Sequence, residues 1–142
     1  MAGPVFKNFA DQIAHESNLE LTRCGIRVLA LYRTGNCTIA EFMGGKLNAF
    51  EYYDFPETKA PPYPVLETAQ LRYHNDWSWI MPVCWEFDHL YRRVKFTKHQ
   101  HQKYVSLCEN IDNAVTNYNL PPVYEALLEA IEWFNKIKKS TT

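Results

Sequence analysis

The chain is expected to fold as a single α+β domain over residues 1–142: a small, mostly antiparallel sheet packed by a central Trp-rich helix and a C-terminal amphipathic helix. Three observations lead there. "VYEALLEAIEWFNKIKK", Val123 to Lys139, repeats apolar residues at three- and four-residue spacing, the period of a helix with one buried face. "YHNDWSWIMPVCWEF", Tyr73 to Phe87, carries three tryptophans and a proline behind a polar lead. Earlier stretches alternate or are aromatic-rich, as strands are. One core serves 142 residues, and 46% hydrophobic with 15% aromatic content favours a packed globule over disorder.

Taken in order, Phe6, Phe9, Ala10 and Ile13 predict a short N-terminal helix. Leu19 to Tyr32 alternates more like a strand buried on both faces. "TGN", Thr34–Asn36, reads as a turn. "TIAEFMGG" reads as a short helix, with Thr38 and Glu41 at capping-box spacing and Gly44 or Gly45 ending it. "NAFEYYDF" is strand-like, and "PETKAPPYP", with four prolines in nine residues, is an extended connector.

The Trp-rich helix follows, with Asn75 or Asp76 as its N-cap. On a helical wheel its apolar side chains cover about 240°, which calls for burial on two sides. Pro82 removes a backbone donor, frees the Ser78 carbonyl and should kink the helix. "VKFTK" and "KYVSLCE" read as a β-hairpin around "HQHQ", and "NIDNAVTNYN" as a loop. Pro121 or Pro122 starts the C-terminal helix, whose closing lysines suit its dipole.

Formal net charge is −1, so no whole-molecule field points to nucleic acid or a membrane surface. No run approaches the roughly 20 apolar residues of a membrane span, and the N-terminus lacks an apolar signal core. The expectation is a cytoplasmic protein in which Cys24, Cys37, Cys84 and Cys108, irregularly spaced, stay reduced.

Candidate sites carry two readings each. Trp77 and Trp79 point about 200° apart on a helix, so they cannot form one platform and both suit a core. Alternatively Tyr73, His74, Asp76 and Trp79, the front edge, wall a pocket for a planar ligand, where stacking one base contributes about 1–3 kcal/mol. Arg92, Lys95 and Lys98, with Arg93 and Lys103, are the only basic concentration: a solvated hairpin or a phosphate-contacting surface. Asp88 falls inside the apolar arc, and Arg92, four residues on, is its expected ion-pair partner. His99 and His101 would share a face on a strand and could chelate a metal, but no third ligand accompanies them. Phosphate-loop, dinucleotide and nucleophile-elbow motifs are absent.

"IAEFMG" at Ile39–Gly44, "YHNDWSWIMPV" at Tyr73–Val83 and "VYEALLEAIEWFNK" at Val123–Lys136 together resemble a group of small uncharacterised bacteriophage and prophage accessory proteins. Against that pattern, residues 1–37 look like an added N-terminal element, and Cys84-Trp85 is a departure. The resemblance implies a phage accessory protein, acting in the host cytoplasm during infection, and transfers no catalytic residue. The expected function is non-enzymatic, anti-defence binding of a small nucleotide-like ligand or signal by Tyr73, His74, Asp76, Trp79, Arg92, Lys95 and Lys98, without metal, cofactor or membrane. The first alternative is a protein–protein module that inhibits a host factor or self-assembles as a homo-oligomer. The second is a small hydrolase or nuclease using Asp88, His89 or the paired histidines.

Overall fold

The computed structural model describes residues 19–21, 27–50, 52–56, 65–67 and 70–140. The helix expected at Phe6–Ile13 and the proline connector beyond Pro56 lie outside them. Within them the α+β class holds. β1 (Leu19–Leu21) pairs antiparallel with β2 (Arg27–Leu29), Leu19 opposite Leu29. A second antiparallel sheet has the order β3 (Lys46–Leu47), β4 (Tyr52–Asp54), β5 (Val65–Glu67). Four helices carry most of the core: α1 (Ala30–Phe42), α2 (Trp77–Asp88), α3 (Lys98–Thr116) and α4 (Leu120–Ser140).

α1 begins earlier than the sequence suggests and absorbs the "TGN" turn. The turn residues have tertiary uses inside the helix. Gly35 lies where α1 meets α4: a Cβ there would run into the Tyr124 hydroxyl and come within 2.9 Å of Leu128 Cδ1. Asn36, fully buried, donates through Nδ2 to the Leu71 carbonyl at 3.1 Å. Packing therefore overrides local turn preference. Thr38 is mid-helix and donates back to the Thr34 carbonyl, so the capping box expected with Glu41 does not form. The predicted stop does form. Gly44 takes φ +88° and donates to the Glu41 carbonyl, while Gly45 donates to that of Ala40, a Schellman closure.

The predicted hairpin over Val94–Glu109 is instead an irregular connector, 94–97, leading into the first half of α3, and the expected loop "NIDNAVTNYN" is largely its last turns. The capping box belongs here: the Thr97 hydroxyl accepts from Gln100 N, and the Gln100 side chain accepts from Thr97 N. Tyr104, Leu107, Ile111 and Ala114, at steps of three, four and three, are the buried face. That helical period outweighs the strand-like tyrosine and valine.

α2 starts where expected, with the Asp76 carboxylate accepting from Ser78 N at 2.9 Å and from the Ser78 hydroxyl at 2.6 Å. It ends at Asp88 and tightens into a 3-10 turn at Leu90–Arg92. The orphan carbonyls of its last turn are met by the Tyr104 hydroxyl, which shares its proton between the Phe87 and Asp88 carbonyls at 2.7 and 2.6 Å. α4 carries Pro121 and Pro122 in its first turn and packs against α1, α2 and α3. Val123, Leu127, Ala130 and Ile131 are its fully buried stripe. No helix among the described residues is long and apolar enough to cross a membrane.

Candidate functional site

Loop and helix start together decide the front edge. Tyr73 is 2% and Trp79 3% exposed, and their rings meet edge to face at 5.3 Å. Burial drives the Tyr73 hydroxyl well above its usual pKa range. Asp76 is spent on the α2 cap. His74 is half-buried, stacked on Tyr32 at 4.6 Å, with Nδ1 3.0 Å from Asn36 Nδ2. Because Asn36 Nδ2 is a donor, His74 Nδ1 must be the unprotonated acceptor. Burial, then the Arg72 charge, push the His74 pKa down to about 4. Asn36 Oδ1 is buried with no partner among the described residues.

The basic residues occupy other ground. Arg92 sits in the 3-10 turn, Lys95 in the connector and Lys98 at the first position of α3, all exposed. No ring contact, hydrogen bond or ion pair joins them to Tyr73, His74 or Trp79 among the described residues. The seven expected ligand-binding residues thus form two separate groups. Asp88 is exposed rather than within an apolar arc, and the ion pair that forms beside it is Arg93–Glu86 at 3.0 Å. His99 and His101, on a helix rather than a strand, diverge by about 200°. They line different grooves, one of about 590 Å³ with Trp133 and Ile137, the other of about 430 Å³. No cluster of three or more metal-ligating side chains exists among the described residues.

A third feature went unread in the sequence. Trp85 is 57% exposed and stacks on His89 at 4.1 Å, with 24° between the planes. His89 Nδ1–H donates to the Trp85 carbonyl at 2.8 Å, which clamps the pair. Tyr91, 54% exposed, continues the stack 6.2 Å from His89, and the Arg92 guanidinium lies 6.0 Å from the Tyr91 ring. Met81, one helical turn before Trp85, is exposed as well. The signal was available: Trp85 stands three residues after Pro82 and four before His89, on the helix face that carries the polar residues.

Tyr91 also walls the 430 Å³ groove between the end of α2 and α3. Its other lining includes Tyr104, Val105 and Cys108, with Asp88, Glu109 and Asp112 as carboxylates. Burial is the main force pushing the Cys108 thiol up to about 11, and Cys84 up to about 12. Neither is a thiolate nucleophile near neutral pH. The Asp112 carboxyl is shifted upward by burial, then by Asp88 and Glu109. The arrangement is a stacked aromatic ridge beside an apolar, acid-rimmed groove. No known protein family matches the chain, and comparisons with curated proteins and with solved structures likewise found no match.

Proposed function

We propose that this chain is a non-enzymatic binding protein that docks a protein partner through the Met81, Trp85, His89 and Tyr91 ridge. The observation that carries the reading is the exposed, stacked Trp85–His89–Tyr91 array. A tryptophan left more than half in water costs solvation, yet stacking and the His89 clamp hold it in one orientation. A pre-ordered aromatic surface loses little side-chain entropy on binding, and Trp, Tyr and Arg dominate interface hot spots. The Cys84 and Cys108 thiols, held protonated near neutral pH by burial, support a binding role over thiol catalysis. The resemblance to phage accessory proteins supplies the setting: a host factor in the cytoplasm of an infected cell.

The test is quantitative binding to a purified host partner, first recovered on the immobilised chain. The Trp85→Ala/Tyr91→Ala variant should lose about 2 kcal/mol or more of affinity, roughly thirtyfold, with its unfolding midpoint unchanged. Equal affinity for parent and variant refutes the docking role of the ridge.

A nucleotide-like ligand is the second reading, favoured by the unpartnered Asn36 Oδ1 beside His74. Thermal shift against nucleotides decides it. A bound ligand at a hundredfold Kd adds about 2.7 kcal/mol, which is readily seen. No stabilisation by any nucleotide removes it.

A further inference from the structure

The outward stripe of α3 reads Lys98, His101, Val105, Glu109 and Asp112, every one exposed. At about 100° per residue these five fall within roughly 40° of the direction of Val105. Tyr104, Leu107, Ile111 and Ala114 take the opposite side into the core. On the stripe a lysine and a histidine precede Val105 and two carboxylates follow it. Lys98 and Asp112 stand seven residues away on either side, and His101 and Glu109 four. Beside the stripe runs the groove whose apolar wall is Tyr91, Tyr104 and Cys108. Among the described residues no lysine or arginine pairs with Glu109 or Asp112, so the acidic end has no cation of its own. Burial first, then repulsion from Asp88 and Glu109, raises the Asp112 carboxyl, and an arriving cation would relieve the second of these.

We propose that a second copy of the chain occupies the α3 side of this face, the two α3 helices packing antiparallel across a two-fold axis at Val105. The proposal goes beyond the ridge reading: the ridge docks a protein partner, and the α3 face beside it pairs two copies of the chain. In an isologous contact each residue meets the one equally far beyond the axis. Lys98 then faces the partner's Asp112, His101 faces the partner's Glu109, and the two valines meet at the centre. Symmetry doubles each contact. A parallel arrangement would set like charge on like. A foreign protein would need a matching basic, apolar, acidic order at the same spacing, whereas a second copy carries it by construction. The groove adds the apolar area that one valine lacks, with Tyr91 of each copy at its wall.

Sedimentation velocity of the full chain across a wide concentration range tests this. The expected result is a concentration-dependent dimer, weakened by added salt. Lys98→Asp and Asp112→Lys should each weaken self-association about tenfold or more, because each sets two like charges together. Mixing the two variants should restore a heterodimer, since the reversed ends complement each other, and circular dichroism checks that both variants keep the parent fold. A parent chain that stays monomeric at low salt overturns the proposal. So do single variants that dimerise like the parent, or a mixture that fails to pair. A monomeric parent leaves the ridge reading standing, because that reading is decided by Trp85 and Tyr91 in partner binding. An intact dimer with indifferent Trp85 and Tyr91 reverses the outcome.

Discussion

Trp79 and Trp85 lie six residues apart on one helix and have opposite fates. Trp79 is packed edge to face on Tyr73 inside the core, while Trp85 stands in solvent on His89. Trp79→Ala should cost about 3–5 kcal/mol in chemical denaturation, the range for emptying a buried aromatic site. Trp85→Ala should stay within about 0.5 kcal/mol, as a surface change does. Equal losses would mean that the ridge is structural. His74 gives a pH signature. Its folded pKa of about 4 lies below its ordinary 6.5, so between those values the unfolded chain binds the extra proton. The stability tied to neutral His74 is complete above about pH 6.5 and is lost as pH falls toward 4. Solvent screening of a half-buried ring reduces the loss to roughly 1–2 kcal/mol. Protonation would turn the acceptor that meets Asn36 Nδ2 into a second donor. His74→Gln should flatten this part of the urea-midpoint profile between pH 6.5 and 4.5, and an unchanged slope would assign it to other groups.

At the level of elements, close approach decides α1. Gly35 permits the Tyr124 hydroxyl to pass the helix and donate to the Tyr32 carbonyl at 3.3 Å. Gly35→Ala gains helix propensity of about 1 kcal/mol but must displace Tyr124 and Leu128. The net result should be a loss of about 1–3 kcal/mol by thermal or urea unfolding, the cost of overpacking. A gain would show that the α1–α4 contact yields easily. The same element shows why local reading failed there: "TGN" is a turn by propensity, but its glycine serves a helix crossing and its asparagine a buried polar bond. α3 failed for another reason. Val105 and Tyr104 favour strands locally, while the deciding evidence, the four-residue buried face, extends past the point where the strand reading stopped.

At the scale of the molecule α4 is the shared wall, touching each of the three other helices among the described residues. Leu127, fully buried on it, should therefore matter to every element at once. Leu127→Ala is expected to cost about 2–5 kcal/mol, with fluorescence and circular dichroism transitions remaining coincident. Separated transitions would indicate that the helices do not share one cooperative core. Net charge near zero conceals local segregation, with acids around the groove and bases from Arg92 to Lys98. That arrangement is what makes the molecule a candidate for pairing with itself.

The sequence by itself determined the α+β class, a cap for α2 at Asn75 or Asp76, the glycine stop of α1 and the amphipathic α4, because propensity, capping and period act within a few residues. It also placed Trp79 in the core, but Met81 and Trp85, inside the wide apolar arc that called for burial on two sides, are exposed instead. Only the tertiary structure decided which aromatic stays outside, where the basic residues lie relative to Tyr73 and Trp79, and that "TGN" and the supposed hairpin are helical. Those outcomes depend on which surfaces meet across long sequence separations: Tyr124 beside Gly35, Tyr104 beneath Phe87, Asn36 against His74. No local pattern encodes such meetings, and the stripe on α3 became legible only once its residues shared one helix face.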